Sequence, residues 1–284
     1  RQAADAYTFY QLRPKLTLNY PFLQRFTAKY DFSIAPHAPR PQYLTDVAVR
    51  VNAMDISTGN PRLHSDRRTE HQFALSYQDK RLYSELSMLY RNNHNSIMQS
   101  IERTPQGFVF TRANQRAINM LLLQSYHQVT LIPSVFTAAC SGSLIRCLNY
   151  GNDYKHHYTG LSANLNLNAY LGRFTLAATG DSGWRWLEGE TKGLQAPYYY
   201  LSATYKWGNA KLSLHWQHCF QQNPLTMRSE LLNNYVHKTV EMHQKEYGNM
   251  LSVTLTWQLS RGHKYAEINR TISNSDTETG LLKK

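Results

Sequence analysis

Few residues in this chain have the type and spacing to do chemistry. Gly180-Asp181-Ser182-Gly183 sets a serine in a tight acidic run, where an imidazole taking its proton would make it an acyl-transfer nucleophile. That arrangement needs a further glycine, and Trp184 stands there instead. Trypsin-like proteases, whose nucleophile segment this run resembles, carry their base upstream in an Ala-Ala-His-Cys setting, whereas the chain reads Ala138-Ala139-Cys140. A serine without a base has no activator, so the run predicts a strand entering a loop.

Twelve histidines raise the question of metal. His215 and His218 are three apart and, on a strand, point to opposite faces, as do the adjacent His156 and His157. His237 and His243 could share a face with Glu241, but an extended chain sets them roughly 20 Å apart at about 3.3 Å per residue. Cys140, Cys147 and Cys219 are odd in number and contain no C-x-x-C pair. Gly107-Phe108-Val109-Phe110 has the aromatic spacing of an RNA-binding strand, but Gln106 replaces its leading basic residue. The sequence therefore predicts no catalytic, cofactor-binding or metal residues, no cofactor, no nucleic-acid partner and no enzyme. It leaves the ligand-binding residues undefined.

The elements that carry these residues are more informative. The chain has 284 residues, 42% of them hydrophobic and 18% charged. The mean hydropathy is -0.55. A spanning helix needs about 20 mostly apolar residues, and the longest apolar run here is Met120–Leu123. Aromatic residues make up 12% of the chain, too many for a disordered one, and tyrosine, with 20 copies, favours strands. The net charge of +12 is spread along the chain and selects no partner by itself.

Period-two alternation dominates. From Leu161 to Ala169 and from Leu251 to Leu259, apolar and polar residues alternate without a fault, as they do in Leu201–Trp207 and Leu212–Trp216. This predicts strands near 6–19, 23–36, 69–78, 82–102, 108–127, 130–149, 156–170, 173–182, 197–207, 211–220 and 236–260. Helical spacing is suggested only near Ser229–Asn234. Tight turns are expected at Tyr20-Pro21, Asp79-Lys80, Gly172-Arg173 and Gly208-Asn209. Longer connections are expected at 37–68, 103–107, 150–155, 183–196 and 221–235.

Short turns on one rim and long loops on the other are the habit of outer-membrane barrels. The polar face of the clearest strands is Ser, Asn, Thr and Gln, suited to a hydrated lumen. The apolar face is expected to end in Tyr170, Trp207, Trp216 and Trp257, a band at the membrane interface. The fold class is therefore all-β, an antiparallel transmembrane β-barrel portion of about eleven strands. Its short turns would be periplasmic and its longer loops extracellular. At the loop rim, Arg50, Arg62, Arg67 and Arg68 stand among Asp46, Asp55 and Asp66, which would suit anionic lipopolysaccharide or an acidic ligand.

Ala38-Pro39-Arg40-Pro41-Gln42-Tyr43-Leu44, Met54-Asp55-Ile56 and Gly59-Asn60-Pro61-Arg62-Leu63 precede a strand at Glu70–Tyr77. This order resembles the barrel of TonB-dependent outer-membrane receptors, in particular the outer-membrane β-barrel family common in Bacteroidetes. There an Arg-Pro-x-Tyr-x-x-Leu-like segment leads to a Gly-Asn-Pro-x-Leu-x-Pro-Glu element. Here Leu44 comes early, and Ser65-Asp66 replace the Pro-Glu. The polar end of the chain, through Asn269-Arg270 and Asn274-Ser275-Asp276, is similar to that family's end. Gly59 and Pro61 are expected to shape a loop, with Gly59 taking an unusual backbone angle.

The resemblance implies that residues 1–262 are the C-terminal part of a barrel and 263–284 a periplasmic tail. It implies energised uptake of a bulky nutrient or chelate, with an upstream plug and half-barrel and contact with TonB through that upstream part. Outer-membrane lipid and lipopolysaccharide would be further partners. An odd count of strands would also leave the two edge strands running the same way and unable to close the wall as antiparallel neighbours. Two rivals stand beside this reading: a plugless porin or structural barrel, and a soluble all-β binding module.

Overall fold

The computed structural model describes residues 11–259. Five strands open it: β1 (Lys15–Phe22), β2 (Phe26–His37), the short β3 (Val49–Arg50) and β4 (Asp55–Ser57), and β5 (Asp66–Gln78). Next come β6 (Leu82–Thr104), β7 (Gly107–Ile132), β8 (Phe136–Tyr150), β9 (Lys155–Leu171) and β10 (Phe174–Asp181). The rest are β11 (Trp184–Glu188), β12 (Thr191–Gln195), β13 (Tyr198–Trp207), β14 (Ala210–Gln217), β15 (Leu225–Leu232), β16 (His237–His243) and β17 (Met250–Trp257).

Eleven strands form one antiparallel wall in the order β1-β2-β5-β6-β7-β8-β9-β10-β13-β14-β17. The wall is open. Among the described residues, β1 pairs only with β2, and β17 only with β14. β3 and β4 pair with each other and β4 joins this sheet beside β7, while β11-β12-β15-β16 make a second sheet.

The register aligns side chains of one kind across the wall. Leu18, Tyr30, Phe73, Met88, Leu123, Leu144 and Leu161 stand opposite one another on seven successive strands. Six of them are solvent-exposed, from 36% at Leu144 to 80% at Leu161. On the other face, Thr27, Ser76, Glu85, Tyr126, Ser141, Asn164 and Asp181 form a parallel row. These polar groups bond across strands: Ser143 and Ser162 meet at 2.6 Å, Thr179 donates to Asn166 at 2.8 Å and Thr204 to Ser213 at 3.1 Å. A protein in water hides its leucines and shows its asparagines. Here the leucines are displayed and the asparagines line the opposite, polar face, the arrangement of a wall between lipid and a wet lumen.

Aromatic rings collect on the apolar face at the short-turn rim. Tyr20, Phe22, Phe26 and Tyr77 follow one another at 6.0, 5.6 and 4.9 Å between ring centres. Phe174, Tyr205 and Trp207 continue the band at 4.6 and 5.7 Å. Amphipathic rings at that level suit a membrane interface. Tyr170 is not part of it: it pairs with Thr175 and alternates with Asn168, so it belongs to the polar face.

The turns at Asp79-Lys80, Gly172-Arg173 and Gly208-Asn209 lie where the sequence puts them. Gly172 and Gly208 take φ of +66° and +51° at the first turn position, the Gly-first pattern of a II′ hairpin. The Tyr20-Pro21 turn is displaced: β1 continues through both residues and the chain reverses at Leu23-Gln24. β1 is paired on one side only, and proline is tolerated where its missing N–H costs no ladder bond. The 103–107 connection is a tight turn joining two very long strands, with Thr104 opposite Gly107. The 128–129 break falls instead at 133–135, after Pro133. The helical spacing at Ser229–Asn234 is overridden by sheet pairing in β15, and the expected 236–260 strand divides into β16 and β17. The polar tail at 263–284 and the aligned motifs within it lie outside the described residues.

Candidate functional site

The polar face and the second sheet above it form the candidate site. On the wall, Glu85, Ser87, Gln124, Tyr126, Ser141, Asn164 and Asp181 border a polar groove of about 350 Å³. Tyr83 donates to Glu85 at 2.6 Å and Arg91 to Glu70 at 2.5 Å, so several lumenal charges are already paired. Gly160 of β9 has no side chain of its own, and the ring of Tyr158 lies over it.

The loop sheet is assembled from two long-rim insertions. β11 and β12 come from the connection between β10 and β13, and β15 and β16 from that between β14 and β17. β12 and β15 join them through five residue pairs, Thr191↔Leu231 to Gln195↔Met227. The β11–β12 turn, Gly189-Glu190, is seated against the wall. Asn149, wholly buried, donates to the Gly189 carbonyl at 3.1 Å. Asn233 donates to both carboxylate oxygens of Glu190 at 3.0 Å, and the Leu232 N–H donates to the Glu190 carbonyl at 2.7 Å. Tyr154 stacks on His156 at 5.1 Å beside this turn. Burial pushes the Glu190 carboxyl above the usual carboxylate range, opposed by the Asn233 amide and His156. Burial likewise raises the Tyr154 phenol, with the Glu190 charge adding to it.

The segment between β2 and β5 packs onto the upper part of β7. β4 runs parallel to β7, with Asp55 opposite Phe108 and Ser57 opposite Phe110. Asn60 donates through its amide to the Arg112 carbonyl at 2.9 Å and through its N–H to the Tyr43 carbonyl at 2.6 Å. The Tyr43 ring lies 4.9 Å from the Arg112 guanidinium and 5.9 Å from that of Arg40. The two sequence motifs thus close on each other. Gly59 is required by proximity, because a Cβ there would stand 2.2 Å from the Thr45 carbonyl oxygen. It is absent from the glycines with left-handed φ, so the expected unusual angle is not its reason.

The chemical candidates are dispersed by the fold. Ser182 accepts from the Ala163 N–H at 2.8 Å and donates to the Gly183 carbonyl at 3.1 Å. His215 stands on the wall near Tyr200, whereas His218 lies beyond β14, buried between Tyr198 and Tyr199. His237 and His243 sit at opposite ends of β16, each within 3.7 Å of a glutamate. Among the described residues no three His, Cys, Asp or Glu side chains gather where they could hold a metal. Gly107–Phe110 is the start of β7, paired on both sides. The expected cluster of rim charges separates: Asp66 pairs with His37 at 2.8 Å, Arg50 reaches the Ala53 carbonyl at 3.0 Å, and Arg68 turns toward the lumen. The seat of Glu190 and the inward turn of Arg68 escaped the sequence reading. For Arg68 the signal was there, since it shares parity with Glu70, Gln72 and Ser76 on β5.

The outer membrane protein beta-barrel family model matches residues 2–257 of this chain. No curated protein matches the sequence. Among solved structures, a mutant of the ferric enterobactin receptor PfeA from Pseudomonas aeruginosa, in complex with enterobactin, superposes with a TM-score of 0.56 at 13% identity. It covers 74% of this chain and 35% of its own. The siderophore receptor PirA from Pseudomonas aeruginosa gives a TM-score of 0.59 at 13% identity, covering 74% of this chain and 39% of its own. A structure titled copper transporter OprC gives 0.59 at 13% identity, covering 79% and 36%. The chain spans little more than a third of the solved proteins it matches.

Proposed function

Because the chain belongs to the outer membrane protein beta-barrel family and so resides in the outer membrane, we propose that it forms barrel wall and loops in a TonB-dependent receptor. The activity would be energised uptake of a bulky nutrient or chelate. Residues 1–262 are the wall portion in this reading, and 263–284 a periplasmic tail. The observation that carries it is the pairing of a polar lumenal face with a folded sheet of long loops seated over it. A wall built only as a structural barrel has no need of such a cap. Among the described residues the outer edges of β1 and β17 are unpaired, which supports an upstream half-barrel of the same protein, since an unpaired backbone group in lipid costs several kcal/mol. An upstream plug and TonB are the remaining partners, with lipid and lipopolysaccharide against the leucine face.

The test compares what cells with and without the intact receptor gene remove from their medium, with and without a protonophore. At least one solute should disappear only when both the receptor and the proton gradient are present. Receptor-dependent removal that persists in the protonophore would make the protein a passive porin, the second reading. A soluble binding module is disfavoured by the exposed apolar row across seven strands.

A further inference from the structure

Between the wall and β11 lies a cavity of about 280 Å³. Its floor is lumenal wall, including Arg68, Arg91 and Asn93, and its roof is the loop sheet, with Trp184, Trp186 and Glu188. Two of its polar atoms are buried and without a partner among the described residues: Nε of Arg68 and Oδ1 of Asn93. Asn93 is 7% exposed. The Arg91 charge is met by Glu70 at 2.5 Å, whereas Arg68 forms no ion pair among the described residues. A buried N–H donor and a buried acceptor left unpaired are each costly, and each is relieved by a ligand group of the complementary kind. The roof adds two indole rings 6.5 Å apart, one of them held in place by lying over Gly193.

We propose that this cavity binds an aromatic acid, or the terminal aromatic acid group of a larger ligand, that also carries an O–H or N–H donor. The acid group accepts from the Arg68 guanidinium, a charge-assisted bond stronger than a neutral one. The donor satisfies Asn93 Oδ1. The ring packs against Trp184 and Trp186, whose faces suit offset or edge contact with a flat partner. The volume decides the size: it is just below the range of about 300–1,000 Å³ typical of whole drug-sized ligands, so it holds one substituted ring and no bulky chelate entire. Glu188, exposed at the mouth, disfavours a second negative group there and so selects a single acid.

This inference deepens the uptake reading and rests on it for the lumen as the route of arrival. Equilibrium dialysis on outer-membrane vesicles carrying the full-length receptor, with no energy source, keeps the two separable. The probe is 4-hydroxybenzoate, compared with benzoate, which lacks the donor, and 4-hydroxybenzamide, which lacks the charge. Receptor-dependent, saturable binding of 4-hydroxybenzoate is expected, at least tenfold tighter than the amide. Arg68→Gln should weaken it at least tenfold, and Asn93→Leu should erase its preference over benzoate. Heat-modifiable migration on gels identifies assembled variants, and Trp184→Leu at the half-exposed roof gives a variant that spares the wall. Its expected effect is a several-fold loss for both acids. No saturable binding, equal binding of acid and amide, or full affinity in assembled Arg68→Gln or Trp184→Leu each overturns the proposal. Binding that survives in a receptor shown to perform no energised uptake would sink the uptake reading and leave this site standing.

Discussion

The amide nitrogen of Asn233 lies 3.0 Å from both carboxylate oxygens of Glu190, tying β15–β16 to the turn of β11–β12. The burial of Glu190 in this seat, which the Asn233 contact only partly offsets, makes the seat of the loop sheet sensitive to pH. Burial raises the Glu190 carboxyl in the seated state, so that state binds its proton more tightly than the released one. The protonation contribution to seating is complete below the ordinary value of 4.5 and is lost as pH rises through the raised one. Hydrogen exchange at β11–β12, corrected for intrinsic rates, should therefore speed up from acid to neutral pH. Glu190→Gln should flatten that dependence, and an unchanged slope would count against it.

Asn60→Ala removes the bond to Arg112 and the acceptor of the Arg62 N–H, 2.9 Å each. The expected loss is about 1–3 kcal/mol in the docking of the 38–65 segment. Limited tryptic digestion of intact cells should then cut faster at Arg62. Gly59→Ala should do the same, because its Cβ meets backbone that cannot move aside.

Leu165 and Asn166 are adjacent in β9 and point to opposite faces. Arginine at Leu165 puts a charge into hydrocarbon, at about 2–4 kcal/mol near the bilayer midplane, and arginine at Asn166 puts it into water. Leu165→Arg should lower the assembled fraction, measured by heat-modifiable migration, and Asn166→Arg should leave it close to wild type. Equal sensitivity would contradict the assignment of faces.

Thiol chemistry offers an independent reading of the same faces. Cys140 stands opposite Leu165 on the apolar side, while Cys147 and Cys219 are buried. In lipid vesicles a membrane-impermeant maleimide should leave all three unmodified and should label a Ser141→Cys variant from the lumen. Rapid labelling of Cys140 in the bilayer would refute the lipid-facing assignment.

The wall was largely readable from sequence because lipid and water impose a strict period of two, and Leu161–Ala169 displays it fault-free. Tyr170 misled because an aromatic at a strand end suggests a girdle, while parity alone decides its face. The hairpin β15–β16 was unreadable as part of a separate sheet: it joins that sheet only through β12, far away in the chain, and pairing at that distance leaves no local period. The Glu190 seat was hidden for the same reason. Its partners come from two distant places, Asn149, Tyr154 and His156 at the β8–β9 connection and Asn233 after β15, that only the folded chain brings together.

The five residue pairs between β12 and β15 have a mechanical consequence. Two loops that leave the wall at different points are fastened into a single plate, so neither can lift while the other stays down. Freedom of movement is traded for a shared hinge line, and the two loops form one body where the connectivity suggests two. Removing either loop would strip the other of its neighbour and leave a bare strand edge facing the outside of the cell, open to pairing with whatever strand next drifts past.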